Sequence, residues 1–334
     1  MEFSFNHKDE VRNNWTIEEI TEVYHTPLMQ LIDYAGDIHK KYYERGEIQV
    51  CALLSIKTGG CSENCSYCAQ SVKNDAEIEV EPLLPLETVV DAAKEAKADG
   101  ATRFCMGAAW RNVRDNKDFD KVLKMISAVN DLGIEVCSTL GMATEEQVKK
   151  MKAAGLTSYN HNLDTSEAYY KEIITTRKYG DRLQTLENIR KSGLSICSGG
   201  IIGMGESEDD RISMLHSLAT LEQQPESVPI NTLVKLNGTR IGEQKPVETW
   251  DIVRMIATAR ILMPKSIVRL SAGRESMSYE AQALCFLAGA NSIFSGDKLL
   301  TTRNVGKSKD SILFDSLGLK PRKSHQETLQ EVEN

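Results

Sequence analysis

Residues 86–99 place Leu86, Val89, Val90, Ala93 and Ala96 on one stripe with charged residues opposite, the spacing of an amphipathic helix. Gly100 ends the run, as glycine does just past a helix. A short, mostly apolar stretch through Met106 follows, as a buried parallel strand should. The same order recurs at Gly133, Gly155 and Gly193, each followed by a strand-like run. Helical spacing also covers 119–131, 144–154, 181–192, 208–222, 248–262 and 278–288. Strand-like runs fall at 49–57, 102–107, 134–139, 157–161, 195–202, 228–234, 267–270 and 291–295.

Alternation of strands and helices predicts parallel βαβ units. Eight such units predict a closed (β/α)8 TIM-type barrel rather than an open doubly wound sheet, which more often has five or six strands. A barrel needs roughly 250 residues, so one barrel with extensions uses a chain of 334 residues. The expected division is an N-terminal helical extension over 1–45, the barrel over 46–304 and a C-terminal tail over 305–334. Trp15 to Tyr24 and Leu28 to Tyr43 are the expected N-terminal helices. Ile312 to Leu319 is a short amphipathic piece, and 321–334 is expected to be frayed or disordered.

Composition changes this picture little. The net charge of -8 argues against a nucleic-acid partner, which would favour a basic surface. Met1 to Glu10 lacks the basic segment and apolar core of a signal peptide, and no apolar run reaches the roughly 18 residues of a membrane helix. The expectation is a cytoplasmic protein without membrane attachment. Thiols are kept reduced there, so the eight cysteines are ligands, catalytic groups or buried fillers rather than disulfides.

Three of them lie within eight residues: Cys61, Cys65 and Cys68, just after the first strand and behind the turn-forming pair Gly59-Gly60. Three thiolates on one loop can converge on a metal centre, either an iron–sulfur cluster or zinc. A closed zinc site needs a fourth Cys or His, and none follows before Cys105. A cluster with one open iron is the better fit. Cys105, Cys137 and Cys197 sit in three further strands. A barrel points alternate side chains inward, so three thiols on three strands could meet in the lumen, although each alone reads as a small buried hydrophobe.

The Cys-x3-Cys-x2-Cys pattern, with Tyr67 before its third cysteine, resembles the radical SAM superfamily. Its place at the C-terminal end of a barrel strand is where barrel active sites form. The resemblance implies a 4Fe–4S cluster held by Cys61, Cys65 and Cys68, whose open iron binds S-adenosylmethionine (SAM). One electron then splits SAM into methionine and a 5′-deoxyadenosyl radical, with Tyr67 beside the adenine. Ordinary packing would equally explain Tyr67.

Seven further stretches narrow the resemblance. They are Arg103–Trp110 (RFCMGAAW), Tyr159–Thr165 (YNHNLDT), Cys197–Glu206 (CSGGIIGMGE), Pro229–Asn231, Val268–Glu275 (VRLSAGRE), Gly289–Phe294 and Leu299–Thr302. In order, over most of the chain from about Trp15 to Thr302, they resemble the biotin synthase family. That resemblance implies a 2Fe–2S cluster in the lumen, held by Cys105, Cys137, Cys197 and, as fourth ligand, Arg269. Arginine is normally protonated and donor-only, so by itself Arg269 reads as a salt-bridge partner inside the barrel. The chain carries Asp297 where some family members have cysteine, which removes that position as a required ligand.

The resemblance further implies that Asn162 and Asp164 bind the SAM ribose and Arg182 its methionine carboxylate. Asn160, Asn162 and Asn231 approach the ureido ring of the substrate, dethiobiotin, and Thr301 and Thr302 its carboxylate tail. A carboxamide offers the donor and acceptor that a ureido group complements. Taken singly, Asp164 also reads as a helix cap, Arg182 as a solvated charge and the threonines as loop caps. Gly199, Gly200, Gly203 and Gly205 read as places of close backbone approach, and Cys51 and Cys285 as core. The activity so implied is sulfur insertion, converting dethiobiotin to biotin with sulfur from the 2Fe–2S cluster. An electron donor such as flavodoxin or ferredoxin and a homodimer come with it. Two rivals remain: a different radical SAM enzyme, or a non-enzymatic iron–sulfur or zinc sensor.

Overall fold

A computed structural model describes residues 11–242 and 244–323. The N-terminal extension is α1 (Ile17–His25) and α2 (Leu28–Tyr42). The chain then runs β1 (Glu47–Lys57), α3 (Leu86–Ala98), β2 (Arg103–Ala108), α4 (Lys117–Asn130), β3 (Glu135–Thr139), α5 (Glu145–Ala153) and β4 (Ser158–Asn160). Next come α6 (Glu167–Ile173), α7 (Tyr179–Lys191), β5 (Ser195–Cys197), β6 (Gly200–Ile202), α8 (Glu208–Ala219), β7 (Ser227–Thr232) and α9 (Thr249–Leu262). It ends with β8 (Ile267–Leu270), α10 (Tyr279–Leu287), β9 (Ser292–Phe294), α11 (Lys307–Leu317) and β10 (Lys320–Pro321).

Every strand pairing in the sheet is parallel, and β9 returns to pair with β1, Val50 opposite Ile293. The sheet is therefore closed, with eight staves and helices outside, as the alternation predicted. The fifth stave is split. Cys197 lies opposite Ser227 and Gly200 opposite Ile230, an unchanged register that brings Pro229 against Gly199. Proline has no N–H to give the ladder, so the single strand expected over 195–202 becomes β5 and β6. Gly199 is needed here, because a Cβ would stand 2.0 Å from the Pro229 carbonyl oxygen. A second departure is α6, where the sequence predicted one helix rather than two between strands four and five. Its cap is Ser166, whose hydroxyl accepts from the Tyr169 N–H at 2.9 Å; Asp164 is left for other work.

Thr16 and Glu19 form a capping box that starts α1. Trp15 donates its indole N–H to the Leu262 carbonyl at 3.2 Å, fastening the extension to α9. At the other end α11 is longer than the expected amphipathic piece, and β10 adds to β1 with Glu47 opposite Lys320. The expectation of fraying over 321–334 falls largely outside the described residues. The N-terminal mouth of the barrel is plugged by charge: buried Arg103 reaches Glu135 and Glu226, each at 2.9 Å. Gln49 donates to Glu135 at 3.2 Å. With that end filled, the lumen opens toward the C-terminal ends of the strands. No described helix is long and apolar enough to cross a membrane.

Candidate active site

The cysteine loop leaves β1 through Gly59 and Gly60, both with φ near +70° (72° and 71°), a conformation costly for any side-chain-bearing residue. It is then closed on itself. The Cys61 N–H donates to the Gln70 carbonyl and the Val72 N–H to the Cys61 carbonyl, each at 2.9 Å. The Asn74 amide donates to the carbonyls of Cys65 and Cys68, both at 2.9 Å. All eight cysteines are free thiols. Burial pushes the Cys65 thiol up, and burial followed by the neighbouring Cys65 pushes Cys68 up to about 12. These thiols keep their protons until a cation replaces them, so loading a metal here releases protons.

Beside the loop, half-buried Tyr67 and the buried Asp164 and Arg182 form one hydrogen-bonded group. The Tyr67 hydroxyl donates to Asp164 Oδ2 at 2.6 Å, and Arg182 Nη2 donates to the same oxygen. Burial, then the Asp164 charge, holds the Tyr67 hydroxyl well above its ordinary range, so it stays a donor. Burial works against the Arg182 charge, but Asp164 outweighs it. Arg182 is further held by the Tyr170 hydroxyl at 2.8 Å. His161 is buried between these groups; desolvation first, then Arg182 and Arg177, keep it neutral. β4 stops at Asn160, so strand alternation does not reach further, yet Asn160, Asn162 and Asp164 all line one cavity, together with His161.

That cavity, about 350 Å³, lies within the size range of small-molecule and cofactor sites. It runs from Cys61, Cys65 and Cys68 down to Cys105, Cys137 and Arg269, and Asn231, Thr301 and Thr302 also line it. Asn231 donates to the Gly200 carbonyl at 3.0 Å and accepts from the Ala272 N–H at 3.2 Å. Asn160 donates to the Asn162 side chain at 3.1 Å and to Cys197 Sγ at 3.2 Å.

At the bottom, Cys51, Cys105, Cys137 and Cys197 pack together with Leu53 and Phe294. Arg269 lies beside them, 1% exposed, without a carboxylate among its hydrogen-bond partners. Burial disfavours its charge, but the facing thiols of Cys51 and Cys197 outweigh that. The barrel thus gathers the three strand cysteines and the arginine that the sequence proposed. Cys285 lies apart on α10, buried as expected. Among the described residues no three Cys, His, Asp or Glu side chains form a cage for a single ion. The donors at both levels are nevertheless thiols, the ligands selected by iron–sulfur clusters, which are larger bodies than one ion. The residues fit such a group.

Three participants escaped the sequence reading. Glu63, 2% exposed, accepts from the Thr176 hydroxyl and pairs with Arg111 at 3.3 Å. Arg177 approaches both Glu63 at 3.9 Å and Cys65 Sγ at 4.0 Å. Together they strap the cysteine loop to the segment after α6. Cys51, read as core, stands in the thiol group of the lumen. Its only signal was parity, since it shares the inward face of β1 with Gln49 and Leu53.

Comparison with known proteins agrees with this geometry. Residues 55–218 match the model of the Radical SAM superfamily, and residues 229–320 match the Biotin and Thiamin Synthesis associated domain. A biotin synthase of Cytophaga hutchinsonii is 58% identical over 94% of this chain and 94% of its own. The mitochondrial biotin synthase of Arabidopsis thaliana is 54% identical over 93% of this chain and 82% of its own. Among solved structures, methylornithine synthase (PylB) superposes with a TM-score of 0.78 at 18% identity, over 95% of this chain and 96% of its own. HydG, a maturase of the [FeFe]-hydrogenase, gives 0.77 at 18% identity over 94% and 75%; at such identities the likeness is one of fold. With thiols at both depths of its barrel and relatives matched over nearly their whole length, the chain belongs to the biotin synthase family of radical SAM enzymes.

Proposed function

We propose that this chain converts dethiobiotin to biotin by sulfur insertion. The observation that carries the reading is one cavity with thiol donors at two levels, the loop above and the lumen below. Cys61, Cys65 and Cys68 would hold a 4Fe–4S cluster; Cys105, Cys137, Cys197 and Arg269 would hold a 2Fe–2S cluster. When bound, the first supplies the electron that splits SAM to give a radical able to take unactivated hydrogens, and the second supplies sulfur.

The chain's own side chains do the positioning. Tyr67 offers its ring to the adenine, while Asn162 and Asp164 take the ribose hydroxyls. Arg182 has five N–H donors, so it can keep Asp164 and still receive the methionine carboxylate of SAM. Asn160, Asn162 and Asn231 present donors and acceptors that complement a ureido ring. Thr301 and Thr302 would receive the substrate's carboxylate tail. Burial of Asp164 and Arg182 keeps water from competing for these contacts. We place the protein in the cytoplasm as a homodimer without nucleic-acid or membrane partners, drawing electrons from a flavodoxin- or ferredoxin-type donor. The barrel over 46–304 would carry the chemistry, with 1–45 and 305–334 as extensions.

The test is an anaerobic assay with SAM, reductant and dethiobiotin, reading 5′-deoxyadenosine and biotin separately. Both products are expected. Deoxyadenosine without biotin would point to a different radical SAM reaction, and neither product from enzyme with intact clusters would point to a sensor.

A further inference from the structure

The lumen presents one thiol more than the proposed cluster needs. Cys51 is 0% exposed, packed with Cys105, Cys137 and Cys197. Arg269 lies between the two ends of this row: Nη2 is 3.3 Å from Cys51 Sγ and Nη1 is 3.9 Å from Cys197 Sγ. Its Nε donates to the Ser292 hydroxyl at 3.0 Å. Cys105, Cys137 and Arg269 line the bottom of the cavity, and Cys51 and Cys197 flank the guanidinium behind that lining. Cys51 and Cys197 are alike in burial, and each is backed by its strand's neighbours rather than by solvent.

We propose that Cys51 is a further iron ligand of the lumen site, able to take the corner assigned to Arg269. The proposal rests on the reading that the lumen holds a 2Fe–2S cluster, and it adds a donor to that reading. Four ligands complete such a cluster, and the chain offers five. The two that stand side by side are chemically unequal. A protonated guanidinium has donors and no lone pair to give. A thiol gives up one proton and becomes the ligand that iron–sulfur clusters ordinarily use. With the Cys51 thiolate on iron, Arg269 keeps its proton and donates N–H bonds to the sulfurs of Cys51 and Cys197. No electron is moved in this exchange; one proton leaves the thiol and one returns to the guanidine.

The experiment uses the full chain carrying Cys61→Ala, Cys65→Ala and Cys68→Ala, so that only the lumen can hold a cluster. It is loaded with iron and sulfide without oxygen. Iron and sulfide content, visible absorption and nitrogen hyperfine coupling of the reduced cluster are recorded for this parent and three derivatives: Arg269→Leu, Arg269→Leu with Cys51→Ser, and Arg269→Leu with Cys51→Ala. Arg269→Leu keeps much of the side chain's bulk, and circular dichroism checks each variant's fold. Arg269→Leu is expected to retain the cluster with no nitrogen coupling, and both double variants to lose it. If Arg269→Leu loses the cluster as completely as the doubles, or if the doubles retain it equally well, Cys51 is no ligand and the proposal is overturned. A parent that binds no lumen cluster overturns the underlying reading and the proposal with it.

Discussion

At residue 164 the backbone takes φ 70°, alone among the described non-glycine residues in the left-handed region. Aspartate and asparagine tolerate that conformation better than most side chains. The turn lets the Asp164 carbonyl accept from the Ile201 N–H at 2.8 Å while the carboxylate faces Tyr67 and Arg182. Asp164→Asn should keep the backbone and lose the charge. We expect SAM affinity to fall about 10- to 100-fold, roughly 1.4–2.8 kcal/mol, and the thermal midpoint to drop as well, because Arg182 loses its buried counter-charge; equilibrium dialysis and a thermal melt check both. The sequence named Tyr67, Asp164 and Arg182 for separate roles. It did not reveal their common oxygen, because Tyr67 and Asp164 are 97 positions apart and no local pattern records a contact made by barrel closure. Cys51 was lost in the same way: on one strand, a cysteine looks like any small hydrophobe.

Two buried histidines, His39 and His161, contribute acid sensitivity. His39, on α2, is 2% exposed and neither ring nitrogen has a hydrogen-bond partner. Burial first, then Arg260 and Arg45, lowers its pKa to about 3. The folded chain thus holds His39 neutral while the unfolded chain protonates it near pH 6.5. Its contribution is whole above pH 6.5 and erodes as pH falls toward 3, by about 2 kcal/mol at pH 5. His39→Phe should flatten this part of the stability profile, read as denaturation midpoints between pH 7.5 and pH 5, as roughly chosen from those limits. An unchanged slope would remove His39 as the cause.

At the scale of elements, the hydrophobic pattern located all eight staves, with ends displaced by a residue or two. It failed where tertiary context decided the outcome. The split of β5 from β6 follows from Pro229 on a neighbouring strand, and α6 has only seven residues, too few to show a period clearly. The tail was underread because α11 is held by one buried ion pair rather than by a broad apolar face. Arg274 reaches Asp310 at 2.5 Å, both nearly inaccessible, and also bonds Gln282 at 3.0 Å and the Phe294 carbonyl at 2.9 Å. Removing one member strands the other charge, at about 3–5 kcal/mol. Arg274→Leu should therefore release α11 before the barrel opens. Hydrogen exchange over 307–317 would rise while that of β1 to β4 stayed slow; uniform loss of protection would instead mean that Arg274 supports the whole barrel.

For the whole molecule, the proposed function assigns two jobs to two depths of the barrel. The upper thiols sit on a loop strapped by Glu63, Thr176 and Arg177, while the lower ones are fixed by strand register, Cys105 directly opposite Cys137. Below them the Arg103 ion group closes the far mouth, so both levels are reached from the loop end. This arrangement predicts different failures. Cys65→Ala removes a proposed ligand of the radical-generating cluster and should abolish 5′-deoxyadenosine and biotin alike. Cys137→Ala leaves the loop, Tyr67, Asp164 and Arg182 in place. It should lose biotin while retaining some reductive cleavage of SAM, measured as deoxyadenosine formed per chain with dethiobiotin present. The loss of bulk at a buried strand position costs only a small side chain, so the barrel should survive it. Loss of both products in a folded Cys137→Ala enzyme with its upper cluster intact would show that the two depths act as one unit, and the division between radical generation and sulfur supply would have to be abandoned.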